Sequence, residues 1–151
     1  LFSTTVPSKM IRLNVLKVPD YRLRLVSSPV EVFSKDIQNL VTDMLLTMNI
    51  EGGIGLSAPQ VNVQKRIVVI QANPFVLINP IILSKEGEVE SEEGCLSVPG
   101  VLIPVIRAKS IKVYAQDTKG SFFELTVSDL PALVIQHEID HLDGKLICDF
   151  S

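Results

Sequence analysis

The 151-residue sequence contains two histidines, and they stand four apart in QHEIDHLDGKLIC, residues 136–148. On an α-helix, His137 and His141 lie about 40° apart and one turn from each other, so both imidazoles can converge on a single metal ion. Glu138, between them, is rotated roughly 60° from His141, near enough to reach a water on that ion without ligating it. Leu130, Leu133 and Val134 share the histidine face, so the pair is expected to point inward. A single histidine on an apolar face is usually a core residue. Both histidines of a chain falling in one HExxH pattern read far better as ligands. A metal site that does chemistry generally takes three protein ligands and leaves a fourth position open. One ligand must therefore come from elsewhere.

The extended form HExxHxxGxxH would supply a third histidine, but Ile147 stands at its position, although Gly144 matches. An acidic ligand from a later helix does not fit either, because Ser151 comes ten residues after His141. What remains is Cys148 or something upstream. Cys148 would lie about 10 Å along the axis from His141 on a continued helix, and reaches the ion only if the chain turns back after Gly144. Cys95 lies in SEEGCLSVPG (91–100), a polar, glycine-containing stretch suited to a loop or strand end. A thiolate there can bind at about 2.3 Å while imidazoles bind at about 2.0–2.1 Å.

A third stretch, GGIGLSAPQ (52–60), has no GKS or GKT and does not link a strand to a helix, so it is no phosphate loop. Its glycines could simply form a loop with a turn at Pro59. Alternatively they let a substrate backbone approach closely, with Gln60 offering an amide donor.

The elements that must position these residues are partly legible. SKDIQNLVTDMLLTMN (34–49) carries Ile37, Leu40, Val41, Met44, Leu45 and Met48 at helical spacing, with Ser34 as N-cap; its methionines read as core packing. A second helix starts after Ser128 or Asp129, takes Pro131 in its first turn and ends at Gly144. Between the two, the segments 66–71, 75–83, 101–106, 110–116 and 121–127 are rich in β-branched residues, and DTKG joins the last two as a hairpin turn. The expected class is α+β, with mostly antiparallel sheets packed around a central HExxH-bearing helix and one N-terminal amphipathic helix.

Hydrophobic residues make up 46% of the chain, which suits one compact domain. The apolar runs fall well short of the roughly 20 residues of a membrane span, and nothing reads as a signal peptide. Net charge is −3 with scattered basic residues, which argues against nucleic acid as a partner. Two cysteines make no disulfide framework, so a reducing compartment is expected. Residues 1–9 have no periodicity and are expected to be an extension or cloning remnant, with Met10 as native start and 10–151 as the catalytic domain.

Taken together and in this order, GIGLSAPQ, EGCLS and QHEIDH closely resemble the three signature motifs of the peptide deformylases. The resemblance runs from about Met10 to the end of the chain and includes LKVPDYRLR (16–24), VLINPIIL (76–83) and RAKSIKVYAQD (107–117). It implies hydrolysis of the N-formyl group from the N-terminal formylmethionine of nascent polypeptides, with release of formate. By the same resemblance Cys95, His137 and His141 hold one divalent metal, Fe²⁺ in the cell with Zn²⁺, Ni²⁺ or Co²⁺ as substitutes. Glu138 is then general base and acid, while Gln60 and the backbone N–H of Leu96 are oxyanion donors. Substrate backbone pairing is implied at Ile54, Gly55 and Gly94, and a methionine pocket at Leu130, Leu133 and Val134. Asp140, Glu93 and Arg107 are candidates for orienting the ligands, each with a purely structural role as the alternative.

Two departures stand out. The family usually has Ala where Ser57 stands, a change expected to do little. Many bacterial members continue into a long C-terminal helix associated with ribosome docking, so ribosome contact is not expected here. The remaining expectations are N-formylmethionyl peptides as partners, a monomer, and a bacterial cytosolic or virus-encoded enzyme, with an organellar matrix or stroma as the alternative. Two rivals are a small zinc protease of the HExxH type and a non-catalytic metal- or peptide-binding module that keeps the fold.

Overall fold

The computed structural model describes residues 10–150. Two helices and seven strands follow in the order α1 (Lys35–Ile50), β1 (Gly55–Ser57), β2 (Ile67–Ile70), β3 (Val76–Glu86), β4 (Val89–Cys95), β5 (Val98–Arg107), β6 (Ser110–Gln116), β7 (Phe122–Ser128) and α2 (Leu130–Leu142). Five strands form one antiparallel sheet in the order β1-β2-β3-β6-β7, and β4 and β5 form a separate two-stranded hairpin. The class is α+β, as the sequence pattern predicts.

The run IVVI of β2 is buried on both faces, which explains why it reads as continuous rather than alternating apolar. Ile67 and Val69 pack with Ile37, Val41, Met44 and Met48 of α1. Val68 and Ile70 pack on the other side with Ala132, Ile135 and Leu142 of α2. The sheet is thus clamped between the two helices, and the period-2 alternation of one strand assigns each residue to its helix. Burying HExxH-bearing α2 against this sheet fixes its rotation, and with it the direction of both histidines.

Several local expectations need correction. Ser34 occupies the N-cap position of α1, but its side chain makes no capping hydrogen bond. Strand β3 shifts register against β6 between Ile78 and Ile81 and again between Ile82 and Ser84; at the first shift Asn79 has φ 53° and its side chain bonds Val30 N and O and Gln116. The glycine stretch is not only a loop: Gly55–Ser57 pair as an edge strand with Val68–Ile70. The segment around Cys95 extends as seven-residue β4, hidden in the sequence by the repeated glutamates of VESEEGC. Its hairpin partner begins at Val98, before the apolar run 101–106 that marks it. Gly144 ends α2 at φ +75°, and it has a second duty: a Cβ there would collide with the carbonyl of Arg24. Expectations for residues 1–9 fall outside the described residues.

Candidate active site

Helix α2 presents His137, Glu138 and His141 toward the two-residue turn Leu96–Ser97 that closes the β4–β5 hairpin. Cys95, the last residue of β4, sits beside that turn. Its Sγ is 3.3 Å from His141 Nε2, which is 3.3 Å from His137 Nε2, and all three ligand atoms lie within 4.8 Å of one another. A tetrahedral ion with bonds of about 2.0–2.3 Å would have ligand–ligand edges of roughly 3.3–3.6 Å. Among the described residues this is the one His, Cys, Asp and Glu cluster with such geometry, and Cys148 is not part of it. Cys148 instead packs with Ile147 against Val98, Ile103 and Val105.

The surroundings favour a cation at this point. His137 Nδ1 bonds Glu93 Oε1 at 2.9 Å, which leaves Nε2 directed at the other two ligand atoms. Burial opposes a charge on His137, but Cys95 and Glu93 outweigh it and hold its pKa up at about 10. His141 is fully enclosed, and burial followed by the charges of His137 and Arg107 pushes it well below its usual value, so it stays neutral and ligand-competent. The donor set of one thiolate and two imidazoles fits zinc or ferrous iron.

Glu138 is 4% exposed, and burial first of all lifts its pKa to about 7. Its Oε1 has no hydrogen-bond partner. A buried carboxylate with a free oxygen and a pKa near neutrality is a competent proton carrier. Gln60, at the end of the short 3₁₀ turn Ala58–Val61 after β1, is 1% exposed. Its Nε2 points toward Ser97 Oγ at 3.1 Å and Cys95 Sγ at 3.7 Å.

Glu93 and Arg107 are both buried and tie the hairpin to α2. Arg107 grips Glu93 through Nε at 3.0 Å and Nη2 at 2.7 Å, and its Nη1 bonds Asp140 on α2. Burial would raise the Glu93 carboxyl, but the bonds from His137 and Arg107 hold it down at about 2. All three residues suspected of orienting the ligands thus form one network. Glu93 stands two residues before Cys95 on β4, a strand that the sequence does not reveal.

A cleft of about 380 Å³ opens over these groups. Its walls include every residue picked for substrate contact: Ile54, Gly55 and Gly94, with Leu130, Leu133 and Val134 opposite, and Leu96 beside Cys95. Leu130 departs from the expected inward direction, being 58% exposed at the cleft rim, while Val134 is buried. Gly55 is a forced choice, since a Cβ would lie 2.7 Å from both Glu138 Oε2 and Val134 Cγ1. Ser97 and Ser57 were not singled out as site residues. The Ser57 contact is local, an S-x-x-Q capping box whose spacing is legible in the chain, whereas the Ser97 contact depends on the β4–β5 turn meeting Gln60 across 37 residues of sequence.

Comparison with known proteins agrees with this geometry. Residues 12–150 match the family model described as polypeptide deformylase. The peptide deformylase of Nitrosococcus oceani is 50% identical over 146 residues, covering 93% of this chain and 87% of that protein. The crystal structure of a peptide deformylase from Legionella pneumophila superposes with a TM-score of 0.89 at 44% identity, over 93% of this chain and 86% of that one. A Met-Ala-Ser-bound class I type b peptide deformylase from Acinetobacter baumannii superposes at 0.89 with 31% identity, over 95% and 100%. An HExxH helix completed by a cysteine from a distant hairpin, matched along nearly the whole length by these relatives, makes the chain a member of the polypeptide deformylase family.

Proposed function

We propose that Cys95, His137 and His141 hold one divalent metal ion while Glu138 carries the proton in the deformylation reaction. The reaction is hydrolysis of the N-formyl group from an N-terminal formylmethionine, releasing formate and a free amine. The observation that carries the residue roles is the convergence of three ligand atoms within 4.8 Å beside a buried carboxylate with an unpartnered oxygen.

A divalent ion in that site supplies the Lewis acidity that lets water attack a carbonyl near neutral pH. Glu138 accepts the proton of the attacking water as its oxygen bonds to the formyl carbon. Gln60 Nε2 and the Leu96 N–H donate to the carbonyl oxygen as it gains negative charge; losing one such donor typically costs about 10²–10³ in rate. The C–N bond then breaks, Glu138 returns the proton to the departing amine, and formate leaves. Ile54, Gly55 and Gly94 pair with the peptide backbone, and Leu130, Leu133 and Val134 receive the methionine side chain. The Met-Ala-Ser bound to the Acinetobacter baumannii relative supports a peptide ligand of this kind.

The thiolate ligand is compatible with ferrous iron as the physiological metal, with zinc, nickel or cobalt as substitutes. The three ligand atoms converge within a single chain, so the site needs no second copy, and a monomer is proposed. Formylated chains arise in the bacterial cytosol, the compartment proposed here, or in an organellar matrix or stroma. Formate release from formyl-Met-Ala-Ser, with metal content determined on anaerobically purified protein, tests the assignment. Cleavage of unformylated peptides with no formate release would sink it. Light scattering and co-sedimentation with ribosomes test the assembly state.

A further inference from the structure

Gln60 has a carboxamide whose two ends must be told apart before it can act as a donor. Ser57 decides which end faces the cleft. The Ser57 backbone N–H meets the Gln60 side chain at 2.9 Å, and the Ser57 hydroxyl meets the same atom at 3.0 Å. A backbone N–H can only donate, so that atom is the carbonyl oxygen Oε1, and the hydroxyl donates to it as well. The amide nitrogen is thereby turned the other way, toward Ser97 Oγ and Cys95 Sγ. Ser57, Gln60 and Ser97 are at most 1% exposed, so no solvent competes for these bonds. Ser57 occupies this place because alternation along β1 sends Leu56 into the α1 core and leaves Ser57 on the opposite face.

We infer that the Ser57 hydroxyl is a positioning group for deformylation: it pins Gln60 Oε1 and so aims the Gln60 amide N–H at the developing oxyanion. An alanine at this position keeps the backbone donor but loses the hydroxyl, so the polar side chain is not a silent departure from the family pattern. The inference rests on the role proposed above for Gln60.

The test is a double-mutant cycle on the metal-loaded enzyme. Ser57→Ala removes one buried hydrogen bond, and kcat should fall about two- to tenfold with KM and metal content unchanged. Gln60→Ala should lose far more. In the Gln60→Ala background, adding Ser57→Ala should have no further effect on kcat. The Gln60 side-chain amide signals in a ¹⁵N NMR spectrum, identified by their loss in Gln60→Ala, should shift and broaden in Ser57→Ala. Unchanged kcat in Ser57→Ala, or an equal loss with and without Gln60, overturns the inference, the second result marking Ser57 as merely structural. Wild-type kcat in Gln60→Ala overturns the oxyanion role itself and the inference with it.

Discussion

At the scale of single residues, the proposed ligands and the proposed proton carrier are different side chains, so their roles can be separated. Glu138→Ala should abolish measurable formate release while metal content, read by elemental analysis, stays close to one ion per chain. Cys95→Ser should instead strip or weaken the metal, because an alcohol is a far poorer ligand than a thiolate. Cys148→Ser should keep it, since Cys148 packs against the hairpin and is no part of the ligand cluster. Gly55 yields a sharper case. A methyl group there would lie 2.7 Å from both Glu138 Oε2 and Val134 Cγ1, so the carboxylate, the valine or the β1 backbone must shift. Gly55→Ala should therefore cost at least about a hundredfold in kcat/KM, as expected when a catalytic group is misplaced by roughly an ångström. Unimpaired kinetics would show that the cleft wall yields there.

At the scale of elements, the hairpin bearing Cys95 and the helix bearing the histidines are separate pieces that must be held in register. The Arg107 fork does this by gripping Glu93 on β4 and Asp140 on α2 from the end of β5. Lysine cannot reproduce that two-sided grip, although it keeps the charge. Arg107→Lys should weaken metal binding about ten- to a hundredfold, measured by competition with a chelator of known affinity. The same network has an acid signature. The Glu93 pKa is about 2 in the folded chain against an ordinary 4.5, so its contribution to stability is complete above pH 4.5 and is lost as pH falls from there through about 2. Melting temperatures of the metal-free protein should drop more steeply over that window in the wild type than in Glu93→Gln. Parallel slopes would show that Glu93 is not held in its ionised form.

At the scale of the whole molecule, a metal held as proposed would join elements that are otherwise linked mainly by side-chain packing and one ion-pair network. Such a site is absent from the unfolded chain, so the metal would add its binding free energy to folding. Removing it with a chelator should lower the melting temperature, and readding zinc or cobalt should restore it. A melting curve indifferent to the metal would mean that the hairpin and α2 are locked together without it.

How much of this could be read along the chain varies with how local each feature is. Both helices could be read, because their apolar stripes repeat within a few residues and because glycine marks their ends. The pair His137 and His141 could be read for the same reason: four residues on a helix is one turn, wherever that helix goes. Most strands showed as β-branched runs. Strand β4 did not, because its exposed face carries glutamates that hide the alternation. The third ligand could be narrowed to Cys95 over Cys148 by counting residues and settled on Cys95 by resemblance to a family. Only the folded chain, however, brings Cys95 Sγ to 3.3 Å from His141 across 46 residues of sequence.

The sequence by itself determined which residues are chemically able to take part, since residue type sets donor, ligand and titration properties. It also determined the local geometry of HExxH, which depends on helix pitch alone. Tertiary structure decided the rest. Burial of α2 gave Glu138 its pKa near 7. The Arg107 fork gave His137 a fixed carboxylate partner. The meeting of the β4–β5 turn with the Ala58–Val61 turn gave the Gln60 amide nitrogen its partner in Ser97, 37 residues away. Each of these depends on dielectric and on contacts between segments far apart in the chain, and neither has any signature in residue order.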